Sequence, residues 1–369
     1  DLLPVKFGNM YNYNSAAFIQ NNVVKAGGYI YICGNAQGQR PYVFKKSING
    51  GAWSYFDLTN VDGNPLARPT ADDSHNAYCM AVTKDGYIII SGNMHVNPCR
   101  AVISSNPHDI TAWTAITYTD SEQVTYPRLT TTPAGKTRAF WREGNSQSGQ
   151  YYSALFNDTT KAFDSKVKII ETDLTVNAYE QRIGIGLDNS IHMCWGNRVS
   201  SAAADGNYGL FYAKSADNGV TWTNAAGNIT YTLPLSESNC EKIADVAINT
   251  GYVNQNGGAV DRDGCYHTCL WQNDSDGNIQ IDHIWFDGSA WQREQVTSFN
   301  FSLDLSGGLL DGSMSRPLIA CTRYGKTYVF YRTNKGGMEG QVRVIDVTAA
   351  GSPVEFILAR FNYGFLELS

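Results

Sequence analysis

Two histidines, two tyrosines and four arginines fall at matching places in successive stretches of this 369-residue chain. The stretches read as hairpins, because Asp-Gly and similar dipeptides that tolerate positive φ separate apolar runs. A two-residue turn at Asp85-Gly86 sets His75 opposite residue 96, beside His95. At Ala134-Gly135 the same rule sets Tyr126 opposite residue 143, beside Arg142, and at Asp188-Asn189 it sets Tyr179 opposite Arg198. The hairpin around Tyr324-Gly325 sets Arg316 opposite residue 333, beside Arg332. Every pair lies at the end of its hairpin remote from the turn. A register error of one or two residues displaces such pairs without dispersing them.

A lone tyrosine or arginine at a strand end is ordinarily a surface residue, and a lone histidine there ordinarily bonds a loop carbonyl. Recurrence in three consecutive units favours a shared site. Guanidinium groups neutralise a carboxylate through permanent, bidentate contacts. Imidazole and phenol take and give protons once neighbouring charges shift their pKa values. That combination suits removal of a proton beside a carboxylate, followed by expulsion of an oxygen leaving group. A glycoside hydrolase needs two carboxylates flanking the bond, and the three pairs contain none, although Glu143 and Glu180 stand close by. Elimination at a uronic acid is the chemistry these residues fit.

The elements that carry them are short strands. Charged residues make up only 17% of the chain while Gly numbers 35 and Tyr 22, a mix that favours strands and turns over helices, and no sustained 3.6-residue periodicity is present. One module recurs: an apolar strand, a tight turn, a second apolar strand, a third, and often a Trp-bearing fourth. The turns are Gly27-Gly28, Asp85-Gly86, Ala134-Gly135, Asp188-Asn189, Asp263-Gly264 and Tyr324-Gly325, and fourth strands carry Trp53, Trp113, Trp222 and Trp291. Units of four strands at this period are propeller blades. The expected fold is all-β, a single β-propeller domain over residues 1–369 with six clear repeats and a seventh blade built partly from the two chain ends. Two packed sandwiches are the structural alternative.

The net charge of −6 argues against nucleic acid or an anionic membrane as partner, and no run approaches the length of a membrane span. Asp1-Leu2-Leu3-Pro4 shows no basic or apolar leader region, as expected of a trimmed mature domain or a piece of something longer. The eight cysteines lie mostly in apolar runs without CxxC spacing, so they read as small buried hydrophobes. Ser215-Ala-Asp217-Asn-Gly219-Val-Thr221-Trp222 matches an Asp box, in which side-chain bonds to the backbone close a hairpin.

His75-Asn76, Gly92-Asn-Met-His95, Thr125-Tyr126-Pro127, Phe-Trp-Arg142-Glu-Gly144, Asn177-Ala-Tyr179 and Trp195-Gly-Asn-Arg198 together resemble the BNR-repeat polysaccharide lyases, which include the ulvan lyases and the rhamnose–glucuronate lyases. The likeness in motif order covers roughly residues 70 to 225, with weaker likeness at Ser315-Arg316-Pro317 and Tyr331-Arg332. It implies a seven-bladed propeller that cleaves beside glucuronic or iduronic acid without a catalytic metal. Carried over, His75 and His95 would bind the carboxylate and assist proton transfer, Tyr126 would act as acid, base or both, and Arg142 would neutralise the carboxylate. Tyr179 and Arg198 would hold the flanking sugar, with Asn76, Arg316 and Arg332 as further substrate contacts. Some relatives carry a structural zinc on His and Cys. Here His192-x-Cys194 and Cys265-x-His267-x-Cys269 offer such ligands but no complete tetrahedral set.

Two rival readings stay open: a sialidase-like glycoside hydrolase, suggested by the Asp box alone, and a non-catalytic glycan-binding propeller whose aromatic residues stack on sugars. The expected partner is an acidic polysaccharide substrate, and the expected location is outside the cell, or on a virion if the chain is a tail depolymerase domain.

Overall fold

The computed structural model describes residues 17–36, 40–67, 73, 75–145, 148–173, 175–199, 203–305 and 313–360. Among these residues the only helical element is the 3-10 turn Leu58–Asn60, and no helix is long and apolar enough to cross a membrane. The strands pair antiparallel, joined by turns and loops.

The chain divides into two compact units, one formed by Asp1–Asn145 with Gln150–Ile169 and the other by Ser146–Gly149 with Ile170–Ser369. In the first unit, Val23–Ala26, Tyr29–Ala36, Arg40–Ser47 and Ser54–Asp57 form one four-stranded meander, and Tyr78–Val82, Ile88–Gly92, Ala101–Ser104 and Trp113–Ile116 form a second. The third sheet is built on Val124–Thr131, Thr137–Glu143 and Gln150–Asn157. In the second unit, sheets are built on Ile191–Val199 with Asn207–Ser215, on Tyr266–Asn273 with Ile279–Phe286, and on Thr327–Thr333 with Gln341–Asp346. These six sheets map one to one onto the six sequence repeats. The expected seventh blade is not among them; the chain ends assigned to it, residues 1–16 and 361–369, lie outside the described residues.

Within the first unit both faces of a sheet are covered, which explains why its strands read as continuous apolar runs instead of alternating ones. Ile88 and Ile90 pack with Tyr31, Cys33 and Val43 of the first sheet. Ile89 points the other way, into Leu129, Ala139 and Trp141 of the third. All three isoleucines are fully buried, each stabilising the fold by about 1.5–3 kcal/mol. All eight cysteines are free and none is exposed, in keeping with their reading as small hydrophobes.

The turns correct the predicted register. Only Gly27-Gly28 is a two-residue turn, with Ala26 paired to Tyr29. At the Asp85-Gly86 hairpin, Thr83 N–H donates to the Tyr87 carbonyl and Gly86 N–H to Thr83, so the loop has three residues and ends on a left-handed glycine (φ +88°). Thr132–Lys136, Gly186–Ser190, Asp261–Cys265 and Thr322–Lys326 repeat this bond pair, with Gly135, Asn189, Gly264 or Gly325 in the left-handed position. A type I turn followed by such a residue is the usual three-residue hairpin loop. The extra residue slides each of these five ladders by one position, and in the Asp188-Asn189 hairpin residues 181–183 face only 193–194, which adds a second position. Tyr179 therefore pairs with Gly196 and Arg198 with Asn177; the expected direct pair is a diagonal one on a shared face. Arg316 lies between the ladder that begins at Leu318 opposite Phe330 and the isolated bridge of Met314 to Thr333.

Candidate functional site

Three local devices in the first unit bring His75, His95, Tyr126 and Arg142 together. The first is a bulge. Thr125 pairs with Arg142 and Arg128 with Phe140, so Tyr126 and Pro127 oppose the single residue Trp141. Proline has no N–H to give the ladder, and Tyr126 takes a left-handed backbone (φ +54°). Such a conformation costs about 1–3 kcal/mol in a non-glycine residue and is typical of functional positions. It directs the phenol away from the sheet face that a regular strand would give it.

The second device is a strand that changes sheets. After Ile88–Gly92 the chain leaves the second sheet, and His95–Asn97 joins the edge of the third, with His95 paired to Thr125 and Asn97 to Val124. Val96, also left-handed (φ +55°), is anchored by its N–H to Thr125 Oγ1 at 2.9 Å. The third is the tight turn before Tyr78–Val82. Asp73 Oδ1 accepts the His75 backbone N–H at 2.9 Å, and the Asp73 carbonyl accepts that of Asn76 at 3.0 Å.

The resulting geometry is compact. His75 Nε2 is hydrogen-bonded to Tyr126 Oη at 2.9 Å. The imidazoles of His75 and His95 stack with centroids 3.8 Å apart and planes inclined by 16°. The Arg142 guanidinium lies over the Tyr126 ring, 5.1 Å from the centroid. Phe18 covers the cluster, stacked on His75 at 5.4 Å and tilted against Tyr126 at 5.3 Å. Asp73 Oδ1 bonds His75 Nδ1 at 2.6 Å, and Oδ2 bonds His95 Nδ1 at 2.5 Å. Neither Asp73 nor Phe18 was expected to take part. The Asp-Asp-Ser-His spacing was a signal for Asp73, whereas Phe18 arrives from a distant segment that carries no motif.

Burial lowers the His75 pKa below the ordinary imidazole value, and the nearby His95 and Arg142 push the same way against the bond to Asp73. For Asp73, burial opposes ionisation. Hydrogen bonds from both imidazoles and from the His75 amide outweigh it and hold the carboxyl well below the usual carboxylate range. Arg142 is almost fully buried at 2% exposure, and Tyr126 is at 6%. Arg142 is thus a permanent positive charge beside the Tyr126 phenol.

Asn76 is buried (3% exposed), its carbonyl accepting from Asn35 Nδ2 at 3.1 Å, so its backbone is committed to holding the turn. Tyr179, Arg198, Arg316 and Arg332 belong to the second unit. Arg198 Nη2 donates to the Ala203 carbonyl at 3.2 Å and Arg316 Nη1 to the Asn254 carbonyl at 2.7 Å. The Arg332 N–H bonds Ser315 Oγ at 2.9 Å.

Among the described residues, Asp73, His75 and His95 are the one group of three potential metal ligands, their donor atoms lying within 4.8 Å of one another. Two donors on one zinc ion stand about 3.3 Å apart at ordinary bond lengths and tetrahedral angles. The 2.6 and 2.5 Å contacts here are those of charge-assisted hydrogen bonds with a proton between the atoms. Among the described residues, neither sequence-suggested zinc motif gathers a ligand set. His192 is bonded to Ser190 Oγ (2.7 Å) and Tyr212 Oη (2.5 Å). His267 bonds His283 at 2.9 Å and Asp261 at 3.3 Å. That second chain borders a cavity of about 160 Å³ in the second unit, which includes none of the expected site residues.

A family model described as "BNR repeat-containing family member" matches residues 29–299. Among solved structures, an ulvan lyase of polysaccharide lyase family PL25 bound to -[GlcA(1-4)Rha3S]- is similar with a TM-score of 0.74 at 15% identity, covering 95% of this chain and 85% of that one. Polysaccharide lyase Uly1 is similar with a TM-score of 0.67 at 15% identity over 99% and 88% of the two chains. The BP39L lectin from Burkholderia pseudomallei reaches 0.52 at 11% identity over 92% and 83%. At these identities the likeness is one of fold. No curated protein sequence matches the chain.

Proposed function

Since the chain belongs to the BNR repeat-containing family, we propose that it is a polysaccharide lyase that cleaves a uronic-acid-containing polymer, of glucuronate or iduronate, by β-elimination. The observation that carries this reading is the Tyr126 hydroxyl bonded to His75 at 2.9 Å with Arg142 over the same ring. The fold likeness to lyases, one of them bound to a glucuronate–rhamnose oligosaccharide, supports it.

In this reading Arg142 and an imidazolium of the histidine pair draw charge from the uronate carboxylate, which makes the C5 hydrogen acidic. Tyr126, as phenolate, takes that hydrogen. The C5–H electron pair forms the C4–C5 double bond, the C4–O bond breaks, and the departing oxygen recovers a proton from Tyr126 or from the histidine pair. No water is consumed. Charge neutralisation falls to protein side chains, so the scheme calls on no catalytic metal. Asn76 is a proposed sugar contact beside the cluster, and Tyr179, Arg198, Arg316 and Arg332 are proposed sugar contacts of the second unit. A polymer of this kind is met outside the cell or on a capsule, and the proposed setting is a secreted or virion-borne protein.

The test is incubation with a panel of algal, plant and capsular uronates. Absorbance from the new conjugated double bond supports elimination. Reducing ends without that absorbance would mean hydrolysis. Retention of polymer without cleavage would mean a glycan-binding protein with the lectin's fold, and either result overturns the proposal.

A further inference from the structure

Asp73 links both histidines through one carboxylate, although it stands two residues from His75 and on a different segment from His95. Resting on the reading above, we propose that Asp73 is the positioning residue that fixes the tautomers of His75 and His95, leaving each Nε2 as a bare lone pair and directing the Tyr126 proton onto His75.

The argument is one of donors and acceptors. An ionised carboxylate only accepts hydrogen bonds. Contacts of 2.6 and 2.5 Å to the two Nδ1 atoms therefore require a hydrogen on each Nδ1. A neutral imidazole carries one N–H, so each Nε2 is then an acceptor. His75 Nε2 faces Tyr126 Oη at 2.9 Å, and the only hydrogen available to that bond is the phenol's own. When Tyr126 ionises, its O–H bond breaks and an N–H bond forms at His75 Nε2. The imidazolium is then paired with Asp73 on one side, and the phenolate is left beneath Arg142 on the other.

The same geometry limits the pair to one added proton. Two imidazolium rings at 3.8 Å would repel each other. Among the described residues, the charged and titratable groups shown against the pair are Asp73, Tyr126 and the Arg142 guanidinium. Asp73 offsets one positive charge and Arg142 opposes a second. Proton exchange between phenol and imidazole thus takes place at constant total charge, inside a cluster covered by Phe18.

Asp73→Asn tests this in the full chain. Its amide oxygen can accept from one Nδ1–H, but its NH2 must donate to the other Nδ1, forcing that ring into the Nε2–H form. Long-range 15N–1H NMR of the side-chain imidazoles, assigned with His75→Gln and His95→Gln, reads this directly and needs no substrate. The expected result is Nδ1–H on both rings in the wild type and one switched ring in Asp73→Asn. An Nε2–H signal from either ring in the wild type would overturn the proposal whether or not the variant folds. On a cleaved uronate polymer, Asp73→Asn should lower kcat by about 10²- to 10⁴-fold, as loss of a tautomer-fixing carboxylate does elsewhere, with KM changed only a few-fold. Removing the carboxylate also takes away the group that raises the His75 pKa, so the acid limb of the kcat/KM profile should move to lower pH, and Asp73→Glu should bring it back. An unmoved limb would count against Asp73. Correct tautomers in a wild type that eliminates nothing would instead leave Asp73 in place and sink the lyase reading.

Discussion

The guanidinium of Arg142 lies over the ring of Tyr126, 5.1 Å from its centroid, while the hydroxyl of that ring is held by His75 at 2.9 Å. One phenol is thus flanked by a permanent cation and by a proton acceptor, and both contacts depend on the one-residue bulge between Thr125 and Arg128.

Tyr126→Phe removes the hydroxyl and keeps the ring packing against Phe18. Because positioned proton transfer contributes about 10²- to 10⁴-fold, the variant should lose at least 10²-fold in kcat on a cleaved uronate polymer. Its thermal midpoint should stay within a few degrees of the wild type. Full activity in both Tyr126→Phe and His95→Ala would show that the chemistry lies elsewhere.

Arg142→Lys keeps the charge and loses the planar fork. Bonds to charged groups contribute about 1.5–3 kcal/mol each, and lysine cannot reproduce a bidentate contact to a carboxylate. We expect kcat/KM to fall by roughly 10- to 100-fold, with the loss largest on polymers richest in uronate. Equal activity on carboxyl-reduced and native polymer in the wild type would refute a carboxylate role for Arg142.

Acid should weaken the fold well above the carboxylate range. Burial lowers the pKa of His192 to about 3, helped by nearby Lys214, and that of His283 to about 3, helped by His267. An unfolded imidazole titrates near 6.5. Between those values the unfolded chain binds the extra protons, so the contribution of each histidine is complete above about 6.5 and is lost as pH falls toward about 3. Each removes at most about 1.4 kcal/mol of stability per pH unit. Urea midpoints measured at pH 7, 5.5 and 4 should decline steadily; a flat series would contradict this account.

The Asp box supplies a control away from the chemistry. Asp217 Oδ1 accepts the backbone N–H groups of Val220 (3.1 Å) and Thr221 (2.8 Å) and the Ser215 hydroxyl (2.8 Å), and Oδ2 accepts the Thr221 hydroxyl at 2.6 Å. Asp217→Ala should cost about 1–3 kcal/mol of stability with no change in turnover per folded molecule. A selective loss of turnover in this variant would give the box a role beyond closing its hairpin.

The six repeats and the β-blade module were legible because a meander is a local object. Its turn dipeptides and apolar runs are neighbours in sequence, and burial on both sheet faces leaves an apolar run that one strand displays by itself. Candidate residues were legible for the same reason: His95, Tyr126 and Arg142 sit at strand ends that hairpin counting locates to within a residue or two. The one-residue error in that counting came from reading three-residue loops as two-residue turns, since Asp85-Gly86 looks the same in both.

Sequence by itself therefore determined which side chains stand at the strand ends and what chemistry their types allow. Only the tertiary structure decided how they meet. His95 joins the sheet of Tyr126 because its strand leaves its own sheet, Phe18 arrives from another segment to cover the cluster, and Asp73 ties two imidazoles that lie 20 residues apart in sequence. Contacts between segments are set by the packing of whole sheets and by strained backbone at Tyr126 and Val96. Neither leaves a periodic trace in the chain, because both are paid for by distant burial and not by neighbouring residues.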